Sequence, residues 1–302
     1  MSNLDNLTII IVTYRTNKEI LNNCINSIDP SVKILIVENS NNNDFKKELE
    51  SEFKNVSVLL ANKNLGYGAG NNLGFKNIKT RYGLISNPDI VYDTNFFKEA
   101  NKYLTPEIDF AVIGTSFYDD EYNLPYGSFD NKKDLSLKEK KYDQYFLKEV
   151  DWVVGCSLII DTKNVDIDNL FDENIFLYFE EIDLCRRIKL NNQKIFNSSL
   201  LKVKHLGNRG SAATDPEYSI ETEMFRNWHW MWSSFYYHRK YNNYFYAFLM
   251  MFGKFIKSMI KAIFFSLFYN KKKQTMYFAR FYGLLYAFLG KKSSWRVKSL
   301  FK

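Results

Sequence analysis

Three carboxylates fall within four residues at Glu180, Glu181 and Asp183, and two arginines follow at 186 and 187. An apolar run, Ile175 to Phe179, leads into them. Ile182, Leu184, Cys185 and Ile188 recur at helical spacing, so 180–190 is expected to be a helix, with its acids in the first turn where the helix dipole favours them. An acidic helix start needs no function to explain it. Two further pieces change that reading: Asn87-Pro88-Asp89 upstream, and His205 downstream at the end of an apolar run. A carboxylate and an imidazole are candidate ligands for a divalent cation or contacts for a leaving group. A second carboxylate can take a proton from an attacking hydroxyl. Together the three pieces imply a group-transfer site that works with a metal and a carboxylate base.

The elements that must position these groups alternate along the first ninety residues. Leu7–Val12 is a short, β-branched, apolar run, the pattern of a strand buried on both faces; Lys33–Val37 reads as a second buried strand, and Val56–Leu60 and Arg81–Ile85 as a third and fourth. Lys18–Ile28 and Phe45–Phe53 carry helical periodicity between them, and a glycine-rich stretch, Asn64 to Phe75, runs into a helix. Strand, helix, strand, helix predicts an open, mostly parallel sheet, in which ligands bind beyond the carboxyl ends of the strands. Thr13, Glu38, Asn39, Asn64, Asn87 and Asp89 all fall at those ends. Each taken alone has an ordinary loop role as its simpler reading. Gly66-Tyr-Gly-Ala-Gly70 follows the third strand, not the first, so a dinucleotide fingerprint is not expected, although glycine still permits close backbone approach. Further strands are expected at Phe110–Phe117, at Asp151–Ile160 with a glycine where something packs close, and at Lys194–Phe196 and Leu200–Val203. Residues 119–149 read as a polar, tyrosine-rich surface excursion.

The chain has 302 residues, 46% of them apolar, enough for one large α/β domain with an appendage. Cys24, Cys156 and Cys185 show no paired spacing, so reduced core thiols in a cytosolic setting are expected. The formal charge of +7 conceals an asymmetry. After Glu223 there is no acid, yet 15 Lys and Arg; the preceding 223 residues hold 26 basic against 34 acidic groups. A basic tail of this kind points to an anionic surface. Residues 244–269 are apolar and aromatic, but Lys254, Lys257 and Lys261 recur on one helical face, which is costly inside a bilayer and favourable at its surface. A second aromatic segment covers 276–289. The tail is expected to attach peripherally to the anionic inner leaflet, at the cytoplasmic face of a bacterial inner membrane, rather than to bind nucleic acid.

The matching stretches Ile9–Tyr14, Val37–Ser40, Asn64–Asn72, Ser86–Asp89, Trp152–Ser157, Phe171–Arg187 and His205 resemble, in order, the inverting family-2 glycosyltransferases of GT-A fold, and within them a rhamnosyltransferase-like branch. The resemblance covers roughly 7–210. It implies a GT-A type α/β domain over 1–210, with a nucleotide-sugar half to about 90 and an acceptor half beyond, followed by a helical, aromatic and basic extension at 211–302. It also implies roles. Glu38, with the backbone near Thr13 and Tyr14, would hold the nucleobase beside Asn39. Asn64, Gly66, Asn71 and Asn87 would line the nucleotide-sugar cleft, and Trp152 and Gly155 the donor and acceptor pocket. Asp89 would stand for the last aspartate of the metal motif, with His205 as second ligand of Mn²⁺ or Mg²⁺. Glu181 would be the catalytic base, with Glu180 and Asp183 beside it. The family commonly has Asp where this chain has Glu38, and Glu-Asp where it has Glu180-Glu181. The expected substrates are a dTDP- or UDP-linked sugar, rhamnose by the branch resemblance with galactofuranose, galactose or glucose as alternatives, and a lipid-linked saccharide acceptor in surface polysaccharide synthesis. A non-catalytic, membrane-bound sugar-nucleotide scaffold is the alternative from another class.

Overall fold

The structure, a computed structural model, describes residues 2–117, 126–129, 146–206, 216–293 and 295. Most of the excursion expected at 119–149 lies outside the described residues. Contact clustering divides the chain into two compact units: Met1–Asp172 with Glu181–Ala212, and Glu173–Glu180 with Ala213–Lys302.

Among the described residues the first unit carries the strands β1 (Leu7–Thr13), β2 (Lys33–Glu38), β3 (Val56–Leu60), β4 (Tyr82–Ser86), β5 (Ile90–Tyr92), β6 (Val112–Phe117), β7 (Tyr126–Gly127), β8 (Leu147–Glu149), β9 (Trp152–Val153), β10 (Ser157–Asp161) and β11 (Ile195–His205). Its helices are α1 (Lys18–Asn26), α2 (Asn43–Glu52), α3 (Tyr67–Phe75), α4 (Phe96–Tyr103) and α5 (Glu180–Leu190), the last opening on the residue where the chain passes between units. The main sheet runs β3-β2-β1-β4-β10-β6-β11-β5, with β8 also on β11. β3, β2, β1 and β4 are parallel neighbours, as the alternating pattern implies. β10 then enters antiparallel between β4 and β6, so the second half of the sheet is mixed.

Local chemistry explains the elements. β1 buries Leu7, Ile9, Ile10 and Ile11 completely, which holds its register against β2 and β4. Asn17 and Asn42 cap α1 and α2 through side-chain oxygens. Gly66 starts α3 at φ +88°, a conformation that favours glycine. A Cβ at Gly74 would lie 2.5 Å from Ile10 Cγ2, and one at Gly70 2.8 Å from Val12 Cγ1. The glycine-rich stretch is thus largely a packing device that lets α3 lie against β1. Asp161, fully buried on β10, accepts two hydrogen bonds from Arg81 Nε and one from Nη2 at 2.6 Å. Its charge is therefore paired where burial alone would penalise it.

Two strands differ from expectation. Asp151–Ile160 breaks into β9 and β10 around Gly155. The two runs expected at 194–203 are one strand, β11, whose register on β6 shifts between Asn197 and Lys202. That irregularity absorbs the polar Asn197-Ser-Ser199 and carries the strand on to His205.

The second unit contains α6 (Pro216–Tyr241), α7 (Tyr244–Leu267) and α8 (Lys271–Phe288). Trp228, Met231, Trp232, Phe235, Met251 and Leu284 are among its buried core. Gly283 permits close crossing, since a Cβ there would meet the Trp228 carbonyl oxygen at 2.4 Å. The strap 173–179 packs on α6: Ser233 Oγ donates to the Leu177 carbonyl at 2.8 Å, Phe176 meets Phe225 edge-on, and Phe179 lies tilted against Trp230. Tyr178 and Phe179 are both left-handed, at φ +67° and +71°, immediately before Glu180. Backbone strain of about 1 kcal/mol or more per residue is thereby held next to the acidic turn.

Candidate functional site

The metal-ligand candidates meet through a strand too short to be evident in the sequence. Pro88 and Asp89 turn the chain out of β4, and β5 then pairs antiparallel with the end of β11, setting Ile90 opposite His205. The Leu206 N–H donates to the Asp89 carbonyl at 3.0 Å and closes the ladder. This places His205 Nε2 3.4 Å from Asp89 Oδ1, with the Asp89 side chain 4% and the His205 side chain 32% exposed. Phe117 stacks on the imidazole at 6.1 Å and fixes the ring from the other side.

The donor set suits a hard divalent cation. Two donors about 2.1 Å from one ion and at right angles lie roughly 3.0 Å apart, so a 3.4 Å separation fits a shared cation with little adjustment. Among the described residues no group of three or more His, Cys, Asp or Glu side chains is arranged to hold an ion.

The base candidate is positioned from the other side of the same turn. Glu181 lies in the first turn of α5, half-buried, with Gly155 pressed against it: a Cβ at Gly155 would sit 3.0 Å from Glu181 Cβ and 3.4 Å from its Cδ. Tyr67 from α3 donates its hydroxyl to the Gly155 carbonyl at 2.5 Å. The next residue, Cys156, accepts from the Asn87 N–H at 2.8 Å. Gly155-Cys156 thus spans from Glu181 to the Asn87-Pro88-Asp89 turn. The buried Cys156 thiol, pushed up to about 12 chiefly by burial, is raised further by the charges of both Asp89 and Glu181. The Gly155-Cys156 link, packed on Glu181 at one end and hydrogen-bonded to the Asn87 N–H at the other, connects the two candidate groups through two residues.

Burial pushes the Glu181 carboxyl above the ordinary glutamate range, while the backbone N–H groups of Glu181 and Ile182 pull it back. Burial is the leading cause. Asp183 has a different surrounding. It is completely buried and accepts from Arg187 Nε at 2.9 Å, one turn on, while Arg187 also donates to the carbonyls of Asn169 and Leu170. Its charge anchors the loop before the strap. Glu180 is buried at 4% exposure.

The remaining expected residues gather at the ends of β1, β2 and β4. Tyr14, Asn64 and Asn87 are partly exposed. Thr13 Oγ1, Asn39 Oδ1 and Asn71 Oδ1 are buried with no hydrogen-bond partner among the described residues. Unpartnered buried oxygens cost roughly 1–3 kcal/mol each, so three near one set of strand ends mark a polar site. Glu38 is 1% exposed; its Oε1 accepts from the Ser40 N–H and hydroxyl, and its Oε2 from the Asn42 N–H at 2.8 Å. It shapes the 38–42 loop. Trp152 is partly buried and lies over Gly127, and Gly66 holds the Asn39 amide through its carbonyl at 3.1 Å.

Sequence reasoning missed Tyr67 and Asn72. Both amide atoms of buried Asn72 pair with the Phe171 backbone, at 2.8 and 2.9 Å, tying α3 to the stretch before the strap. The signal was an Asn-Asn pair inside a predicted helix, where asparagine is a poor helix former.

Residues 8–162 match the family described as glycosyl transferase family 2. The low-salt glycan biosynthesis hexosyltransferase Agl10 of Haloferax volcanii is 23% identical over 214 residues, 67% of this chain and 67% of that one. A mannosyltransferase from Pyrobaculum calidifontis, solved with GDP-Man and Mn²⁺, superposes with TM-score 0.53 at 9% identity, over 95% of this chain and 88% of that one. GalNAc-T7, solved with UDP, GalNAc and Mn²⁺, gives TM-score 0.53 at 12% identity over 74% of this chain, which spans only 50% of that one. These structures share the α/β fold with this chain.

Proposed function

The chain belongs to glycosyl transferase family 2, and from that premise we propose that it moves a sugar from a nucleoside diphosphate to an acceptor hydroxyl in one inverting step. The observation that carries the reading is the approach of Asp89 and His205 to 3.4 Å, with Glu181 held across Gly155-Cys156 from the same turn. Glu181 takes the proton of the acceptor hydroxyl, helped by a carboxyl that burial has made more basic. The freed oxygen forms the new bond to the anomeric carbon, the bond from that carbon to the diphosphate breaks, and its electron pair leaves with the nucleotide. Attack opposite the leaving group inverts the centre. Asp89 and His205 would hold Mn²⁺ or Mg²⁺, which supplies positive charge for the departing diphosphate. The Mn²⁺ in both superposed relatives supports this assignment.

The buried, unpartnered oxygens of Thr13, Asn39 and Asn71 support reading the strand ends as the nucleotide side. A dTDP- or UDP-sugar is the donor class, with rhamnose favoured by the branch resemblance alone and galactofuranose, galactose and glucose also compatible. A lipid-linked saccharide in surface glycan assembly is the acceptor, a reading the glycan-biosynthesis relative supports.

The test is a thermal-shift panel of UDP-, dTDP- and GDP-sugars, with and without Mn²⁺, on the wild type and His205→Ala. A ligand selective for the folded state raises its melting temperature. The reading expects one nucleotide class to stabilise the wild type in a Mn²⁺-dependent way, and His205→Ala to lose that dependence. No shift with any donor, or an undiminished Mn²⁺ effect in His205→Ala, overturns it.

A further inference from the structure

Helix α7 presents an apolar stripe that the described residues leave exposed. Phe245, Leu249, Phe252, Ile260, Ile263 and Leu267 are between 42% and 71% exposed. At about 100° per residue they fall within an arc of roughly 80° on a helix about 36 Å long. The buried positions of α7, Ala247, Met251 and Ser258, lie on the far side. An uncovered stripe this long is well beyond the scattered apolar residues of an ordinary surface.

Charge identifies what covers it. Lys254, Lys257 and Lys261 lie between the stripe and the buried face, all on one flank. The stripe ends in Phe268 and Tyr269, 66% and 95% exposed, and Lys271, Lys272 and Lys273 follow at once, also exposed. No acid occurs anywhere after Glu223. A two-fold contact between copies through this stripe would bring its lysine flanks together with no acid from the tail to offset them. A bilayer bearing anionic headgroups satisfies both features: acyl chains take the stripe and phosphates take the ammonium groups. Among the described residues no helix is long and apolar enough to cross a membrane, so α7 would lie along the surface.

We propose that α7 docks in the plane of an anionic phospholipid surface, with Phe245, Leu249, Phe252, Ile260, Ile263 and Leu267 as its inserting face and the Lys254, Lys257, Lys261 and Lys271–Lys273 groups on the headgroups. This assignment stands independently of the reaction. It adds a reason for a lipid-linked acceptor, since the enzyme would then share a surface with it.

The test is flotation of the full chain with vesicles of phosphatidylcholine alone and of phosphatidylcholine with 30% phosphatidylglycerol, at about 0.1 M salt, where the Debye length is about 10 Å. Wild type should float with anionic vesicles at least tenfold more than with neutral ones. Ile260→Glu/Ile263→Glu should lose at least tenfold of that binding. Leu190→Glu, an equally exposed apolar site on the first unit, should bind as wild type, and circular dichroism confirms that both variants fold. Absence of flotation overturns the proposal. So does equal flotation of the Ile260→Glu/Ile263→Glu protein. A lipid-free dimer that this double substitution splits, without vesicle binding, would assign the stripe to a second copy instead.

Discussion

A single methyl group at Gly155 probes the placement of Glu181. An ideal Cβ there would stand 3.0, 3.2 and 3.4 Å from Glu181 Cβ, Cγ and Cδ. Carbon atoms rest about 3.5–4.0 Å apart, so Glu181 must yield by roughly 0.5 Å at its Cβ. Its carboxylate, further along the lever, moves at least as far. Stability suffers modestly: Cγ and Cδ of this unbranched side chain can turn aside, and the Cβ contact is relieved by a small backbone shift. The overpacking cost should be near its lower limit of about 1 kcal/mol, and loss of glycine's unfolded-state freedom offsets roughly 0.4–1 kcal/mol of that. Catalysis has less tolerance: a displacement of about 1 Å can cost on the order of 100-fold, so half of that should cost about tenfold, or about 1.4 kcal/mol of barrier. Gly155→Ala should therefore turn over about tenfold more slowly, with donor affinity within about twofold and a near-unchanged urea midpoint. The assay is nucleotide release at saturating nucleotide sugar, with urea unfolding in parallel. A folded Gly155→Ala protein turning over within twofold of wild type would refute the claim that Gly155 sets the position of the base.

Other outcomes follow from the same structure. Asp161→Ala strands Arg81 beside a buried cavity and should cost about 3 kcal/mol by urea unfolding, at the low end for a broken buried pair because Arg81 keeps some solvent access. Gly74→Ala sets a helix-propensity gain of about 1 kcal/mol against a 2.5 Å clash with Ile10, and should be net destabilising by about 1–2 kcal/mol. Glu181 has a folded-state carboxyl raised above its unfolded value, so its contribution to stability is full below the unfolded value of about 4.3 and is lost as pH rises through the folded one. Glu181→Gln should accordingly melt higher than wild type at pH 7, and the two should converge in acid. The acidic limb of wild-type turnover should likewise lie above the ordinary glutamate range.

Local signals carried much of this. The parallel block β1–β4 was readable because each strand is a short, largely apolar run between helical or glycine-rich stretches, and α5 because its acids and apolar residues keep helical spacing. Gly155 was legible as a place of close packing, though not that the packed group is Glu181. What escaped depends on distant partners. β5 has only three residues, and nothing in Ile90-Val-Tyr92 reveals that it will pair with residues 203–205 and bring His205 to Asp89. Asp183 and Glu181 look alike in sequence; Arg187, one helical turn on, and burial separate an anchoring charge from a basic one. The helical character of 211–302 was legible, but not that the strap 173–179, far back in the chain, would pack on α6.

The most direct measurement is the transfer rate of Glu181→Gln beside its dissociation constant for the nucleotide sugar. If Glu181 takes the acceptor proton, transfer falls by at least about a hundredfold, the lower range for a positioned base, while donor affinity stays within about threefold. A Glu181→Gln protein that transfers sugar within tenfold of wild type would contradict the account and move the base elsewhere.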